Sequence, residues 1–157
     1  MRRPLVLALL TTLLMLAIAP GAMARPTTYT AHLSGAEEVP PVDTDATGQT
    51  VLRLNGDGTA LQFRLIVANI DDVTQAHIHV GAEGVNGPVV AFLFGEVSGD
   101  GTSNGVLATG TITADDLMGP LAGRSLGALV AKLNSGTAYV NVHTVDHRGG
   151  EIRGQIR

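Results

Sequence analysis

Hydrophobic and polar residues alternate along most of the chain after residue 27, and turn residues interrupt the alternation at short intervals. Successive side chains of a β-strand point to opposite faces, so this pattern predicts short strands with one buried face. The segment Asn55-Gly56-Asp57-Gly58 is typical of a tight hairpin turn between two of them. The predicted strands cover residues 28–33, 50–54, 60–68, 76–81, 89–94, 106–112, 137–144 and 151–157.

The spacing becomes helical before the last two strands. Thr113 followed by two aspartates is typical of a helix start, and we expect a short helix over about residues 113–121. Residues 125–134 carry apolar side chains at helical spacing, and Gly136 is placed to end that helix. Seven or eight short strands with one helical insertion predict an all-β fold, an antiparallel Greek-key sandwich or barrel. The apolar run 89–94 is expected to be central or covered on both faces.

Residues 1–24 have the pattern of a secretory signal peptide. Two arginines precede an unbroken apolar run over residues 5–19, and Ala22-Met23-Ala24 has small residues where a signal peptidase cleaves. The run is too short to span a bilayer comfortably. We therefore expect residues 25–157 to form a single domain that is secreted or periplasmic and has no membrane span after cleavage.

Charge and composition exclude several kinds of function. The formal net charge is −4, and it becomes −6 once the two signal-peptide arginines are removed. An acidic domain argues against nucleic acid and anionic membranes as partners. The chain has no cysteine, which excludes disulfides and thiolate chemistry. Aromatic residues are few and tryptophan is absent, so a broad aromatic platform for sugars or peptides is not expected.

Three of the five histidines fall on two predicted strands. His77 and His79 share one face of the first strand, with Ile78 on the opposite face. His143 shares a face of the second strand with Tyr139. Copper and zinc ions bind neutral imidazole nitrogens at about 2 Å, so these side chains are candidate ligands for such an ion.

Two interpretations of the histidines remain open. If the two strands are neighbours, His77, His79 and His143 form a surface three-histidine site for copper or zinc. His147, in the loop that follows, is then a weaker candidate for a fourth ligand, and Glu151 a candidate acceptor that fixes an imidazole tautomer. Alternatively, the histidines belong to the solvent-facing polar side of two ordinary strands, and His147 is a turn residue.

Other polar groups have structural explanations. Paired aspartates at 71–72 and 115–116 are typical of a turn and a helix cap. We expect Glu37 or Glu38 to pair with Arg148 or Arg153, which would hold the first long loop against the last strand. No catalytic residue is predicted.

Several blocks of the sequence, in order along almost the whole mature chain, resemble a known family. The blocks are Tyr29-x-Ala31-x-Leu33-x-Gly35, Glu38-Val39-Pro40-Pro41-Val42, Ala76-His77-Ile78-His79-x-Gly81, Gly84-x-Asn86-Gly87-Pro88, Gly136-x-x-Tyr139-Val140-Asn141-Val142-His143-Thr144 and Gly150-Glu151-Ile152-Arg153-Gly154-Gln155-Ile156. This series resembles the CHRD domain, a module first described in the developmental protein chordin. The resemblance implies an extracellular β-sandwich module whose biochemical role is largely undefined.

A weaker likeness connects the histidine strands to the copper–zinc superoxide dismutases, which are Greek-key barrels. In that family a His-x-His strand and a later strand supply copper ligands, and His77, His79 and His143 correspond to them. The zinc-loop ligands, the disulfide and the active-site arginine of that family have no counterpart here. Dismutase-like chemistry is therefore the least favoured of our hypotheses.

The sequence leaves three hypotheses of different class. The first is a non-enzymatic exported module that binds an extracytoplasmic protein or envelope component. The second is a copper- or zinc-binding protein that uses His77, His79 and His143. The third is a redox enzyme.

Overall fold

The structure, a computed structural model, describes residues 27–99 and 101–157, so the predicted signal peptide at residues 1–24 lies outside the described residues. This part of the chain contains eight strands and one α-helix. The strands are β1 (Thr28–Ser34), β2 (Thr47–Leu54), β3 (Leu61–Asp71), β4 (Val73–Val80), β5 (Val89–Phe94), β6 (Thr102–Ile112), β7 (Ala138–Thr144) and β8 (Ile152–Gln155). The helix, α1 (Leu126–Asn134), precedes β7.

The strands form one antiparallel sheet, in the order β5-β4-β7-β8-β1-β2-β3-β6, that nearly closes into a barrel. The chain passes between the two halves of this order from β3 to β4, from β5 to β6 and from β6 to β7. The connection from β6 to β7 is long and contains α1, as in the Greek-key arrangement that the sequence predicted. The all-β fold class is thereby confirmed. Among the described residues, no helix has the length and apolar character needed to cross a membrane.

Apolar side chains from the inner faces of the strands fill the barrel. Leu52, Leu65 and Ile78 are fully buried there, together with Leu129 of α1. The predicted hairpin turn joins β2 to β3, where the side chain of Asn55 accepts a hydrogen bond from the backbone N–H of Thr59 at 2.9 Å. The core is thus built from aliphatic residues, as the composition requires.

Several predicted boundaries differ from the structure, and β2, β3 and β4 are each longer than predicted. Strand β6 begins at Thr102 rather than at residue 106, because β3 continues to Asp71 and pairs with these additional residues. The predicted helix over 113–121 is two separate 3-10 turns, Ala114–Asp116 and Gly119–Leu121, because the backbone of Leu117 and Met118 between them is extended. The second predicted helix is confirmed, since α1 occupies nearly the predicted range and Gly136 follows it with a φ of 65°.

The apolar run 89–94 is not a central strand, which corrects our expectation. It forms β5, which is at one end of the strand order, and Phe92 is 40% exposed. The run is apolar because one face packs on the core while Phe92 on the other face contacts a side chain of β4.

Candidate metal centre

Strands β4 and β7 are hydrogen-bonded neighbours, which brings the two histidine segments side by side. In their antiparallel register, His77 is opposite Asn141 and His79 is opposite Tyr139. His143 follows Asn141 on the same face of β7. The adjacency on which the three-histidine hypothesis depends is therefore present in the fold.

The three histidines are buried, so the expectation of a solvent-facing surface site is wrong. The exposed fractions are 3% for His77, 8% for His79 and 6% for His143. The side chains stand on the outer face of the barrel wall, as the alternation predicted, but the loops over residues 81–88 and 145–151 fold back and cover them.

The three imidazole rings are close enough to share one ion. Ring centroids are 4.9 Å apart for His77 and His143, 5.5 Å for His77 and His79, and 6.4 Å for His79 and His143. One nitrogen from each ring lies within 4.8 Å of those of the other two. Two imidazole nitrogens on one tetrahedral ion, bound at about 2 Å, are roughly 3.3 Å apart. Small side-chain movements would therefore bring all three into coordination distance.

Backbone carbonyls determine the tautomers of two rings. Nδ1 of His79 lies 2.9 Å from the carbonyl oxygen of Gly87, and Nδ1 of His143 lies 2.9 Å from that of Arg148. Because a carbonyl oxygen only accepts, each Nδ1 carries the proton and each Nε2 is unprotonated. Histidines that bind metals characteristically donate their other ring N–H to such an acceptor.

The same reasoning assigns the tautomer of the third ring, that of His77. Nδ1 of His77 lies 3.1 Å from Nε2 of His143, so it donates to that lone pair and leaves Nε2 of His77 unprotonated. Nε2 of His77 and Nε2 of His79 are both buried without a hydrogen-bond partner. Oδ1 of Asn141 lies 3.0 Å from Nε2 of His143. The cluster thus has more lone pairs than donors, as a cation site requires.

Burial keeps these imidazoles neutral. Desolvation, followed by the proximity of His143 and His79, lowers the pKa of His77 from 6.5 to about 4. Desolvation also lowers the pKa of His79 and of His143, although the hydrogen bonds to Gly87 and Arg148 act in the opposite direction. Neutral imidazole is the form that binds a metal, and burial favours that form in all three side chains at neutral pH.

A layer of aromatic and cationic side chains supports the cluster. The ring of Tyr139 stacks on His79 with 4.8 Å between centroids, and the guanidinium of Arg153 lies 3.5 Å from the Tyr139 ring centroid. Tyr139 is on β7, between β4 and β8, so it is flanked by a side chain from each neighbouring strand. The Tyr139 hydroxyl also accepts a hydrogen bond from the backbone N–H of Gly87 at 3.0 Å. The stack therefore joins the strands to the covering loop.

Arg153 anchors that loop directly. Its guanidinium donates to Oδ1 of Asn86 at 3.0 Å and to the carbonyl oxygens of Val85 at 3.0 Å and Ala82 at 3.3 Å. Asn86 donates in turn to the carbonyl oxygen of Val39 at 2.8 Å. The pattern of polar and apolar residues gave no indication of this role for Asn86. The feature of the sequence that could have indicated a role for Asn86 was its position within one of the family-like blocks.

Two residues that the sequence suggested for supporting roles at this site, His147 and Glu151, lie outside the three-histidine cluster. His147 is half-buried in the 145–151 loop and is not a member of the three-histidine cluster. The carboxylate of Glu151 accepts hydrogen bonds from the hydroxyls of Thr44 and Thr144, each at 2.7 Å. It therefore does not fix an imidazole tautomer, which two backbone carbonyls do instead.

The expected ion pair between the first long loop and the last strand is also wrong. Glu38 is buried, but it forms no ion pair with Arg148 or Arg153 among the described residues. Burial raises the pKa of Glu38, whereas the charge of Arg153 and hydrogen bonds from Val39 and Asn141 lower it. Glu38 therefore contacts the histidine site through Asn141.

These features define a class of protein, a Greek-key β-barrel with a buried three-histidine cluster beneath its loops. The sequence matches the family model of the CHRD domain over residues 29–156. The chain belongs to the CHRD-domain family, which confirms the resemblance seen in the sequence blocks. A comparison with curated proteins found no match.

Proposed function

We propose that this CHRD-domain protein is exported and binds a copper or zinc ion through His77, His79 and His143. The observation that carries the proposal is the cluster itself, in which nitrogens from all three buried rings lie within 4.8 Å of one another. The carbonyl oxygens of Gly87 and Arg148 support it, because they hold two rings in the tautomer that presents Nε2. The proposed role is ion capture outside the cytoplasm, and it requires no catalytic residue.

Equilibrium dialysis of the chelator-treated protein against Cu²⁺ or Zn²⁺, followed by metal analysis, tests the proposal. We expect one ion per chain and a rise in melting temperature on binding, because an ion that binds only the folded state stabilises it by about 2.7 kcal/mol at a hundred times its Kd. Replacing His77, His79 and His143 singly with Gln should remove both effects.

Two other histidines provide controls. His32→Ala changes an exposed residue of β1, so it should leave the ion uptake of the protein unchanged. His147→Ala tests whether His147 is a fourth ligand. An unchanged affinity for the ion would show that it is not. Folded single variants that bind the ion as tightly as the unaltered protein would contradict the proposed site.

Export is proposed from residues 1–24 alone, on their basic start, apolar run and small residues before the cleavage point. Mass spectrometry of the protein recovered from outside the cytoplasm should give a chain that begins at Arg25. A cell-associated protein that retains its first 24 residues would contradict this part of the proposal.

A further inference from the structure

The ligand set of the proposed centre has no charge of its own. Within the described part of the chain, the group that can converge on one ion consists of three histidines and includes no carboxylate. Glu151 accepts hydrogen bonds from Thr44 and Thr144, and Glu38 is no member of the group. The charge of a bound ion would therefore not be neutralised by its ligands.

Burial makes such a charge costly. The three ligand side chains are at most 8% exposed, so an ion among them would be largely withdrawn from water. The cost of desolvating an ion rises with the square of its charge, and a buried charge without a partner is strongly unfavourable. A divalent ion is penalised far more than a monovalent ion by the same surroundings.

A resident cation adds to this penalty. Arg153 is 2% exposed, and its guanidinium lies 3.5 Å from the Tyr139 ring centroid, on the ring that stacks against His79. Its repulsion of a bound ion is proportional to that ion's charge. Glu38, the buried carboxylate nearby, interacts with the charge of Arg153 and is no member of the group that converges on one ion.

The described residues also supply few ligands. Zn²⁺ is usually four-coordinate, and where a protein supplies only three ligands a water molecule completes the set. Three nitrogens converge here, His147 is outside the group, and the burial of the three rings leaves little access for a water molecule. Phe92 packs edge-on to His77 at 4.4 Å between ring centroids, and Tyr139 covers His79. Aromatic rings thus occupy positions next to two of the three ligands.

From the neutral ligands, their burial, the nearby guanidinium and the three converging nitrogens, we infer that the centre takes copper in its monovalent state, as a three-coordinate ion. Monovalent copper has a filled d shell, carries the smallest charge of the candidate ions and accepts three ligands. Imidazole is a suitable ligand for copper. This inference rests on the proposed function and specifies which ion fills the site.

Anaerobic competition titrations of the full protein test the inference. Cu(I) is titrated in the presence of a colorimetric Cu(I) chelator, and Zn²⁺ and Cu²⁺ are titrated separately against chelators of their own. We expect one Cu(I) per chain, with a Kd at least a hundredfold lower than that for Zn²⁺ and at least tenfold lower than that for Cu²⁺. X-ray absorption of the Cu(I) form should show three nitrogen ligands.

A variant at Phe92 tests the ion preference without removing any of the three histidine ligands. Phe92 is partly exposed and pairs with His77 across β4 and β5, so Phe92→His should offer a fourth imidazole to the same ion. We expect at least a tenfold gain in Zn²⁺ affinity and a smaller preference for Cu(I). Phe92→Leu is the matched control and should keep the original preference.

The results of these titrations distinguish the inference about Cu(I) from the proposed function of metal binding. Zn²⁺ or Cu²⁺ bound as tightly as Cu(I), with dependence on His77, His79 and His143, would overturn the inference and leave the proposed function intact. Binding of no ion, or binding that does not depend on these histidines, would overturn both.

Discussion

Two ring nitrogens, Nε2 of His77 and Nε2 of His79, are buried without a hydrogen-bond partner. A buried acceptor without a partner costs about 1–3 kcal/mol, so the pair makes the ion-free fold less stable than an equivalent apolar packing. A bound cation would use both lone pairs. The feature that lowers stability at the residue scale is therefore the feature that the proposed function requires.

Gly150 has no side chain, and this leaves room for the polar groups of Glu38 and Asn141 next to the histidine cluster. It has a φ of 125°, and a methyl group on its Cα would overlap Oε1 of Glu38 and Nδ2 of Asn141. We expect Gly150→Ala to lower the free energy of unfolding by about 2–4 kcal/mol, from backbone strain and the displaced polar groups. Urea unfolding of the metal-free protein measures this loss.

The neighbouring residue is a matched control for that substitution. A methyl group on Gly149 would meet no atom within 4 Å. Gly149→Ala should therefore change the free energy of unfolding by no more than about 0.5 kcal/mol. Equal losses for the two variants would show that the contact with Glu38 and Asn141 is not the cause.

At the element scale, the strands of the histidine site are buried on both faces. All seven residues of β7 are buried, although its sequence alternates between polar and apolar side chains. The inner face packs in the barrel, and the outer face is covered by loops that hydrogen-bond to its side chains. Alternation in sequence therefore does not indicate a solvent-facing side here.

Arg153 holds one of those covering loops, so its removal should loosen the loop. Arg153→Met keeps much of the apolar stem and removes three hydrogen bonds to residues 82–86. We expect the free energy of unfolding to fall by about 1–3 kcal/mol, since exposed loop carbonyls can regain water. Hydrogen exchange within residues 81–88 should become faster, and urea unfolding gives the energy.

An exposed arginine offers the comparison for this variant. Arg157 pairs with Glu83 of the same loop at 2.5 Å, but the two side chains are 71% and 62% exposed. Exposed ion pairs contribute about 0–1 kcal/mol, so Arg157→Met should have little effect. If it accelerated exchange in the loop as much as Arg153→Met, loss of charge rather than loss of the buried anchor would be responsible.

At the scale of the whole molecule, the barrel topology assembles the site from distant parts of the chain. The sheet places β7 between β4 and β8, and the connections between the strands supply the loops that cover the outer face. Glu38, Asn86 and Arg153 come from three separate family-like blocks and meet around Asn141 and the 81–88 loop. The family resemblance thus marks the parts of the sequence that form this one region.

The buried histidines should make the stability of the metal-free protein depend on pH. Because folding lowers their pKa, the unfolded chain binds more protons below pH 6.5, and the free energy of unfolding falls as the pH falls from 6.5 toward 4. A full pKa unit corresponds to about 1.4 kcal/mol, so His77 alone would account for about 3 kcal/mol. Urea unfolding between pH 7.5 and 4.5 measures the slope.

His77→Leu should reduce this slope, because it removes the most strongly shifted imidazole. The raised pKa of Glu38 has the opposite sign, since its contribution is present at low pH and is lost as the pH rises through that pKa. As a single group, it should only partly offset three histidines. A free energy of unfolding that stays constant from pH 7.5 to 5 would contradict the account.

Much of the fold was predictable because it depends on local patterns. The β2–β3 hairpin follows from Asn55-Gly56-Asp57-Gly58, and α1 follows from apolar residues at helical spacing. The helix predicted over 113–121 was wrong because the capping box at Thr113 starts only one 3-10 turn, after which the backbone of Leu117 and Met118 is extended. The predicted exposure of His77, His79 and His143 was wrong because burial by a loop depends on contacts between residues far apart in the chain.

The sequence by itself determined the all-β class, the family and which strand face carries His77, His79 and His143, because side-chain alternation is a property of each strand alone. Only the tertiary structure decided that β4 and β7 are neighbours, that loops bury the three rings, and that the carbonyls of Gly87 and Arg148 select their tautomers. The physical reason is that a backbone carbonyl has no signature in the sequence. Its effect on an imidazole exists only once the chain has folded around it.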